Sequence, residues 1–209
     1  LADYVSRMPE GQKKIYYLVG TSYQSVKTSP YLELFKKKGI EVLLLWDRID
    51  EWLMAHLREF EGKGFVSASA SDLELGDLAD KSEKTEEEAK QSAGLIDRLK
   101  TALAGRVKDV RVSTRLVGTP SCVVAEGGQF LTPQMKHMLE AAGQTVPEDE
   151  YILEVDPENA LLKRVAAETD PARFKEWAEL IFEQALLSEQ GALKDPNAFV
   201  QRMNRLLAL

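Results

Sequence analysis

One cysteine, two histidines and no long apolar run mark what this 209-residue chain is short of. The single thiol, Cys122 in SCVVA, excludes an internal disulfide and suits a reducing compartment. Its apolar neighbours predict a buried, inert side chain, since a nucleophilic cysteine would want a histidine partner. His56 and His137 each lack a second ligand three or four residues away, so no metal site is expected. No stretch approaches the roughly 20 apolar residues of a membrane span. GxGxxG, GxxxxGK[ST] and GxSxG are all absent, and no catalytic constellation emerges. Basic excess is missing too. With 27 Lys and Arg against 34 Asp and Glu, the net charge is −7, so the chain has no electrostatic bias toward nucleic acid.

What is present is ordinary for a globular protein: 44% hydrophobic and 29% charged residues, enough for one large domain or two small ones. The first residues, LADYVSRM, carry neither an initiator Met nor a signal pattern, and are expected to lie inside a longer chain. KIYYLV (14–19) is a compact run of strand formers. Ser29, Pro30 and Gly39 bracket YLELFKKK with helix start and stop signals. IEVLLLW (40–46) predicts a second buried strand. Asp50–Met54 belongs to a helix expected to end near Gly62, and GFVSASAS predicts a third strand. Strand alternating with helix points to a small parallel sheet with helices on its faces.

Composition then shifts. Between Asp72 and Glu88 acidic residues dominate over Lys81 and Lys84, which predicts a solvated linker at 73–83 and a domain boundary there. Residues 84–209 predict an α+β domain. Its helix runs from about Thr85 to Ala104, stopped by Gly105, with strands in VKDVRVST, CVVA and YILEV. Three Asp-Pro pairs (156–157, 170–171, 195–196) predict three helix starts, because Asp caps free amides and Pro needs no partner in the first turn.

Three local features bear on function. Gly20-Thr21-Ser22 follows a strand and precedes a helix, where phosphate loops sit, although a hydroxyl N-cap explains it better. Asp47, Asp50 and Glu51 cluster at a helix start, where the dipole favours carboxylates without any acid–base role. After Gly127-Gly128-Gln129 comes a Met-bearing helix with Leu131, Met135, Met138, Leu139 and Ala142 on one face. That face either joins the core or is held out for a partner.

The C-terminal helices carry the widest apolar stripes: Phe174, Trp177, Ala178, Ile181, Phe182, Ala185 and Leu186, then Phe199, Val200, Met203, Leu206 and Leu207. At about 1.5 Å per residue the helices are roughly 30 and 20 Å long. The pattern admits two covers, the chain's own sheet or the same hairpin of a second copy in a four-helix bundle.

YLELFKKKGIEVLLLWDRIDEWLM, GRVKDVRVSTRLVGTPSCVV, MLEAAGQTVPE and DPNAFVQRMNRLLAL resemble the C-terminal third of the ninety-kilodalton heat-shock chaperones, the bacterial members above all, collinearly over the whole chain. The resemblance implies a cytoplasmic, homodimeric chaperone that binds unfolded or partly folded clients and uses ATP and Mg through an N-terminal domain outside this chain. The chain itself would then be no enzyme and hold no cofactor. Residues 1–72 would be the end of the middle domain, 73–83 the linker and 84–209 the dimerisation domain. The resemblance assigns client contact to Glu51, Trp52, Leu131 and Met135, with Met138 on the same helix face. It assigns the dimer interface to the two C-terminal stripes. An ending NRLLAL, without the acidic EEVD tail, implies no tetratricopeptide co-chaperone, and neither nucleic acid nor membrane is an expected partner. Without the resemblance, the residues also admit an α/β enzyme or binding domain for a phosphorylated small molecule at Gly20-Thr21-Ser22, or a structural linker.

Overall fold

The computed structural model describes residues 1–71, 73, 84–125, 139, 141–145 and 150–208. It divides into two compact units, one including residues 1–71 and the other residues 84–125 and 150–208. The expected linker therefore lies, except for Leu73, outside the described residues.

In the first unit β1 (Ile15–Val19) is central, because IYYLV can be buried on both faces: Ile15, Tyr16, Tyr17 and Leu18 are all core. It runs parallel to β2 (Leu43–Leu45), pairing Tyr17 with Leu43, and parallel to β4 (Lys63–Ser67), pairing Ile15 with Phe65. The parallel sheet expected from alternating strand and helix is present in the order β2-β1-β4. Helices α1 (Ala2–Arg7), α2 (Tyr23–Lys27), α3 (Glu33–Lys38) and α4 (Asp50–His56) also belong to this unit. Ser29 caps a 3-10 turn over Pro30–Leu32 that leads into α3, and Gly39 ends α3 at φ 65°. Phe35 of α3 packs on Tyr16, ring centroids 4.9 Å apart.

Two expectations need correction. The helix from Asp50 stops at His56, not near Gly62. The chain instead forms an antiparallel hairpin of β3 (Glu59–Phe60) with β4, turning at Glu61 and Gly62 with φ 51° and 71°. Two successive left-handed residues match the twist of a tight hairpin, which overrides local helix propensity. The run 40–46 is also only partly strand. Ile40 is buried and donates its N–H to the Phe35 carbonyl, closing α3 before β2 begins.

The second unit contains α5 (Lys84–Ala102), β5 (Asp109–Val112), β6 (Ser121–Ala125), β7 (Tyr151–Val155), α6 (Ala160–Ala166), α7 (Pro171–Gln190) and α8 (Pro196–Leu207). Central β7 is parallel to β5 and antiparallel to β6. Asp170 and Asp195 cap α7 and α8 as expected, with Pro in the first turn of each. Asp156-Pro157 does not start a helix. Asp156 accepts the Glu158 N–H while its own N–H bonds the Pro120 carbonyl, and α6 begins three residues later under an Asn159 cap. A strand leaving the sheet needs a turn before it can become helix, and Asp serves that turn equally well.

The α7 stripe is covered from within. Phe174, Trp177, Ala178, Ile181, Phe182 and Ala185 are all core, with α7 packed on β6. Guanidinium groups cap its rings: Arg98 lies 3.8 Å from the Phe174 centroid, Arg106 5.2 Å from Phe182 and Arg164 5.4 Å from Trp177.

Candidate functional site

Among the described residues no group of three His, Cys, Asp or Glu side chains could hold a metal, and no helix is long and apolar enough to cross a membrane. Cys122 is buried, as its neighbours predicted, with its Sγ 3.9 Å from Glu154 Oε2. His56 is exposed, its Nδ1 2.8 Å from the Trp52 carbonyl. Ser22 accepts the Ser25 N–H in a full capping box. Gly20 is glycine because a Cβ there would come 2.6 Å from Val26 Cγ2. The segment that looked like a phosphate loop is thus a helix cap with a tight helix approach.

The interaction surfaces are clearer. On the C-terminal hairpin, the expected interface residues Phe174, Trp177, Ile181, Phe182, Ala185 and Leu206 are already buried by this chain alone. Leu186, Phe199 and Met203 are half-buried. Val200 is 45% exposed, Leu207 63%, and Leu187, which the stripe reading missed, 38%. Val200, Met203 and Leu207 share a helix face by spacing. The hairpin is pinned by charge, with Glu183 paired to Arg202, Glu176 to Arg205 (2.7 Å) and Glu179 to Arg106.

In the first unit, large apolar groups reach solvent over a short stretch. Trp46 is 48% exposed, Ile49 67%, Trp52 46% and Leu53 47%. Single exposed apolar residues are unremarkable; four within eight positions form a patch. Tyr23 stands edge-on to Trp46, centroids 5.0 Å apart. Glu51, half-buried in the first turn of α4, borders a shallow cup at the carboxyl ends of β1 and β2. Of the expected client contacts, Glu51 and Trp52 lie on this stretch. Leu131, Met135 and Met138 lie outside the described residues, as does His137. Beyond them Gly143 adopts φ 72°, and the Gln144 N–H bonds the Leu139 carbonyl.

One feature escaped the sequence reading. Glu154, on the central strand β7, is 2% exposed and accepts hydrogen bonds from Arg111 (2.7 Å), Arg115 (2.9 Å) and Ser113 (3.1 Å). Arg115 is 1% exposed. The signal was a glutamate inside the apolar run YILEV with arginines in RVSTR.

The model of the family described as Hsp90 protein matches residues 1–209. "Chaperone protein HtpG" of Actinobacillus succinogenes is 53% identical over 210 aligned positions, spanning 100% of this chain and 33% of its own. The proteins of the same name from Yersinia pestis and Pectobacterium atrosepticum are 52% and 53% identical, again with 33% of their lengths covered. The chain thus spans about a third of the curated relatives it matches.

Proposed function

The chain belongs to the Hsp90 protein family, and from that premise we propose that it is a segment of an ATP-dependent bacterial chaperone, serving self-association and the capture of non-native proteins. The observation that carries the reading is the exposed apolar patch of Trp46, Ile49, Trp52 and Leu53 beside Glu51. Groups this large in water offer about 1.5 to 3 kcal/mol each on burial against a partner, and an unfolded polypeptide supplies apolar side chains without a fixed shape. Leu131, Met135 and Met138 are the second part of the proposed client surface. A Met-bearing face can repack around many partners.

Self-association is assigned to the solvent side of the α7–α8 hairpin. Leu186, Leu187, Phe199, Val200, Met203 and Leu207 would meet their counterparts in a four-helix bundle, over the buried layer of Phe174, Trp177, Ile181, Phe182, Ala185 and Leu206. Nucleotide chemistry belongs, on this reading, to a part of the protein outside this chain.

The test is capture of an unfolded protein. Trp52→Ala, and separately Leu131→Ser with Met135→Ser, should each weaken capture at least about fivefold while leaving the urea midpoint unchanged. Unfolding of the Leu131/Met135 variant would make those residues core and remove them from the client surface. The phosphate-ligand reading is disfavoured by the Ser22 cap and by Asp47 and Glu51 lining the adjoining cup.

A further inference from the structure

Helix α8 turns its charges inward. Arg202, Arg205 and Leu206 follow at steps of three and four and share one face, while Val200, Met203 and Leu207 share another. A surface helix ordinarily turns its apolar stripe to the core and its charges to water. Here Val200 and Leu207 stand in solvent, whereas Leu206 is buried and the Arg202 side chain is only 17% exposed. Both arginines find their partners on α7. Arg202 pairs with Glu183, whose side chain is 11% exposed, and Arg205 donates to Glu176 through Nε (3.0 Å) and Nη2 (2.7 Å).

We infer that Arg202 and Arg205 are positioning residues for self-association: their ion pairs with Glu183 and Glu176 fix the rotation of α8 on α7 and so turn Val200, Met203 and Leu207 toward a second copy of this chain. The inference rests on the self-association reading above and names what holds that surface in place. Leu206 is the one side chain of α8 that the chain itself buries. A single apolar anchor leaves a helix free to roll about its axis, because apolar burial has no direction. Two guanidinium–carboxylate pairs almost one turn apart remove that freedom, since charge-assisted hydrogen bonds are directional.

Glu183 answers two cations. Its Oε2 accepts from Arg202, and its Oε1 faces Arg106 Nη2 at 3.8 Å. Arg106 also pairs with Glu179 and lies over the Phe182 ring. Glu183 therefore keeps a cation when Arg202 is removed. Loss of Arg202 frees α8 without stranding a nearly buried carboxylate, so the body of the unit keeps its fold. A second consequence concerns salt. Val200, Met203 and Leu207 carry no charge, and screening leaves apolar burial untouched. The pairs behind them are screened, the exposed Glu176–Arg205 pair most of all. Self-association through an uncharged face is thereby made to depend on ionic strength.

The experiment measures the dimer dissociation constant of the 209-residue chain by sedimentation over a dilution series, at about 0.05 M and about 0.5 M sodium chloride. Association of the parent chain should weaken about fivefold between the two. At low salt Arg202→Gln should weaken it at least about tenfold. Arg205→Glu should weaken it about fivefold, and adding Glu176→Arg, which restores the pair with its signs exchanged, should return the parent value. In the single-chain background of Val200→Asp with Leu207→Asp, Arg202→Gln should leave the urea midpoint unchanged. Variants that associate as tightly as the parent, at a constant indifferent to salt, would overturn the positioning role and leave the self-association surface standing. A midpoint that falls in the single-chain background, or an Arg205→Glu defect that Glu176→Arg does not repair, would also overturn it. A parent chain that stays monomeric at every concentration would remove the surface and the positioning role together.

Discussion

Glu154 and Tyr4 show how much single residues hold in this chain. Glu154 is buried in the middle of the three-stranded sheet, opposite an equally buried Arg115. Neither charge can reach water, and Glu154 answers Arg115 together with the half-exposed Arg111 and Ser113. Glu154→Gln removes the carboxylate charge that faces the buried Arg115 guanidinium and should destabilise the second unit by about 3 to 5 kcal/mol, read as a lower urea midpoint at unchanged slope. An unchanged midpoint would mean the cluster is solvated. Tyr4 joins α1 to the sheet, its hydroxyl donating to the Glu41 carbonyl (2.7 Å) and accepting from the Tyr16 N–H (3.1 Å) and Gln12 (3.0 Å). Burial raises its phenol above the ordinary 10.0, against the lowering effect of those two donors, and burial raises Tyr16 as well. A raised folded pKa means stability fully present below 10 and lost as pH climbs through the raised values. The first unit should therefore unfold more easily above about pH 10. Tyr4→Phe should cost about 1 to 3 kcal/mol at pH 7 through the orphaned polar groups, yet show a shallower alkaline decline. A decline as steep as the parent's would acquit Tyr4.

At the scale of elements, caps decide more than propensities. Asp170 accepts from the Ala172 and Arg173 N–H groups at the start of the 20-residue α7. Asp170→Ala should cost about 1 kcal/mol in thermal or urea unfolding. Asp156→Ala should cost less, because Asp156 caps no helix. Equal losses at the two sites would contradict the assignment of their roles. The same contrast explains which elements were legible. Gly39 ended its helix as the sequence predicted, while α5 stopped at Ala102, short of Gly105; both glycines adopt positive φ. Apolar alternation and run length located β1, β4, β5, β6 and β7. The β3–β4 hairpin was missed because its signal is one Glu-Gly pair, and Glu is not a usual left-handed residue. The short α1 was passed over because six residues carry no periodicity, whereas α2 was read from its Ser22 cap.

At the scale of the whole molecule, the open question is what covers the C-terminal helices. The chain itself covers α7 with β6 and arginine stems, while α8 keeps Val200 and Leu207 in water. If those residues form a self-interface, light scattering should give a mass near twice 23.4 kDa that persists on dilution. Val200→Asp with Leu207→Asp should then yield the single-chain mass with the fold intact, since both side chains are exposed. A monomer at every concentration for the parent chain would remove the four-helix bundle from the proposal.

By itself the sequence determined the elements and the family. Strand formers, caps and glycine stops act over a few residues, and 52–53% identity extends through the whole chain. It also predicted that Cys122 is buried and that Gly20-Thr21-Ser22 starts a helix. Only tertiary structure decided which apolar faces are spent. A stripe such as Phe174–Ala185 and one such as Val200–Leu207 look alike as patterns. Burial depends on what stands opposite, and β6 stands opposite only the first. The same is true of charge: Glu154 reads as an ordinary acidic residue until β5 and the loop after it bring Arg111, Ser113 and Arg115 to its side. Contacts between residues some forty positions apart are made by chain topology, and no local pattern carries them.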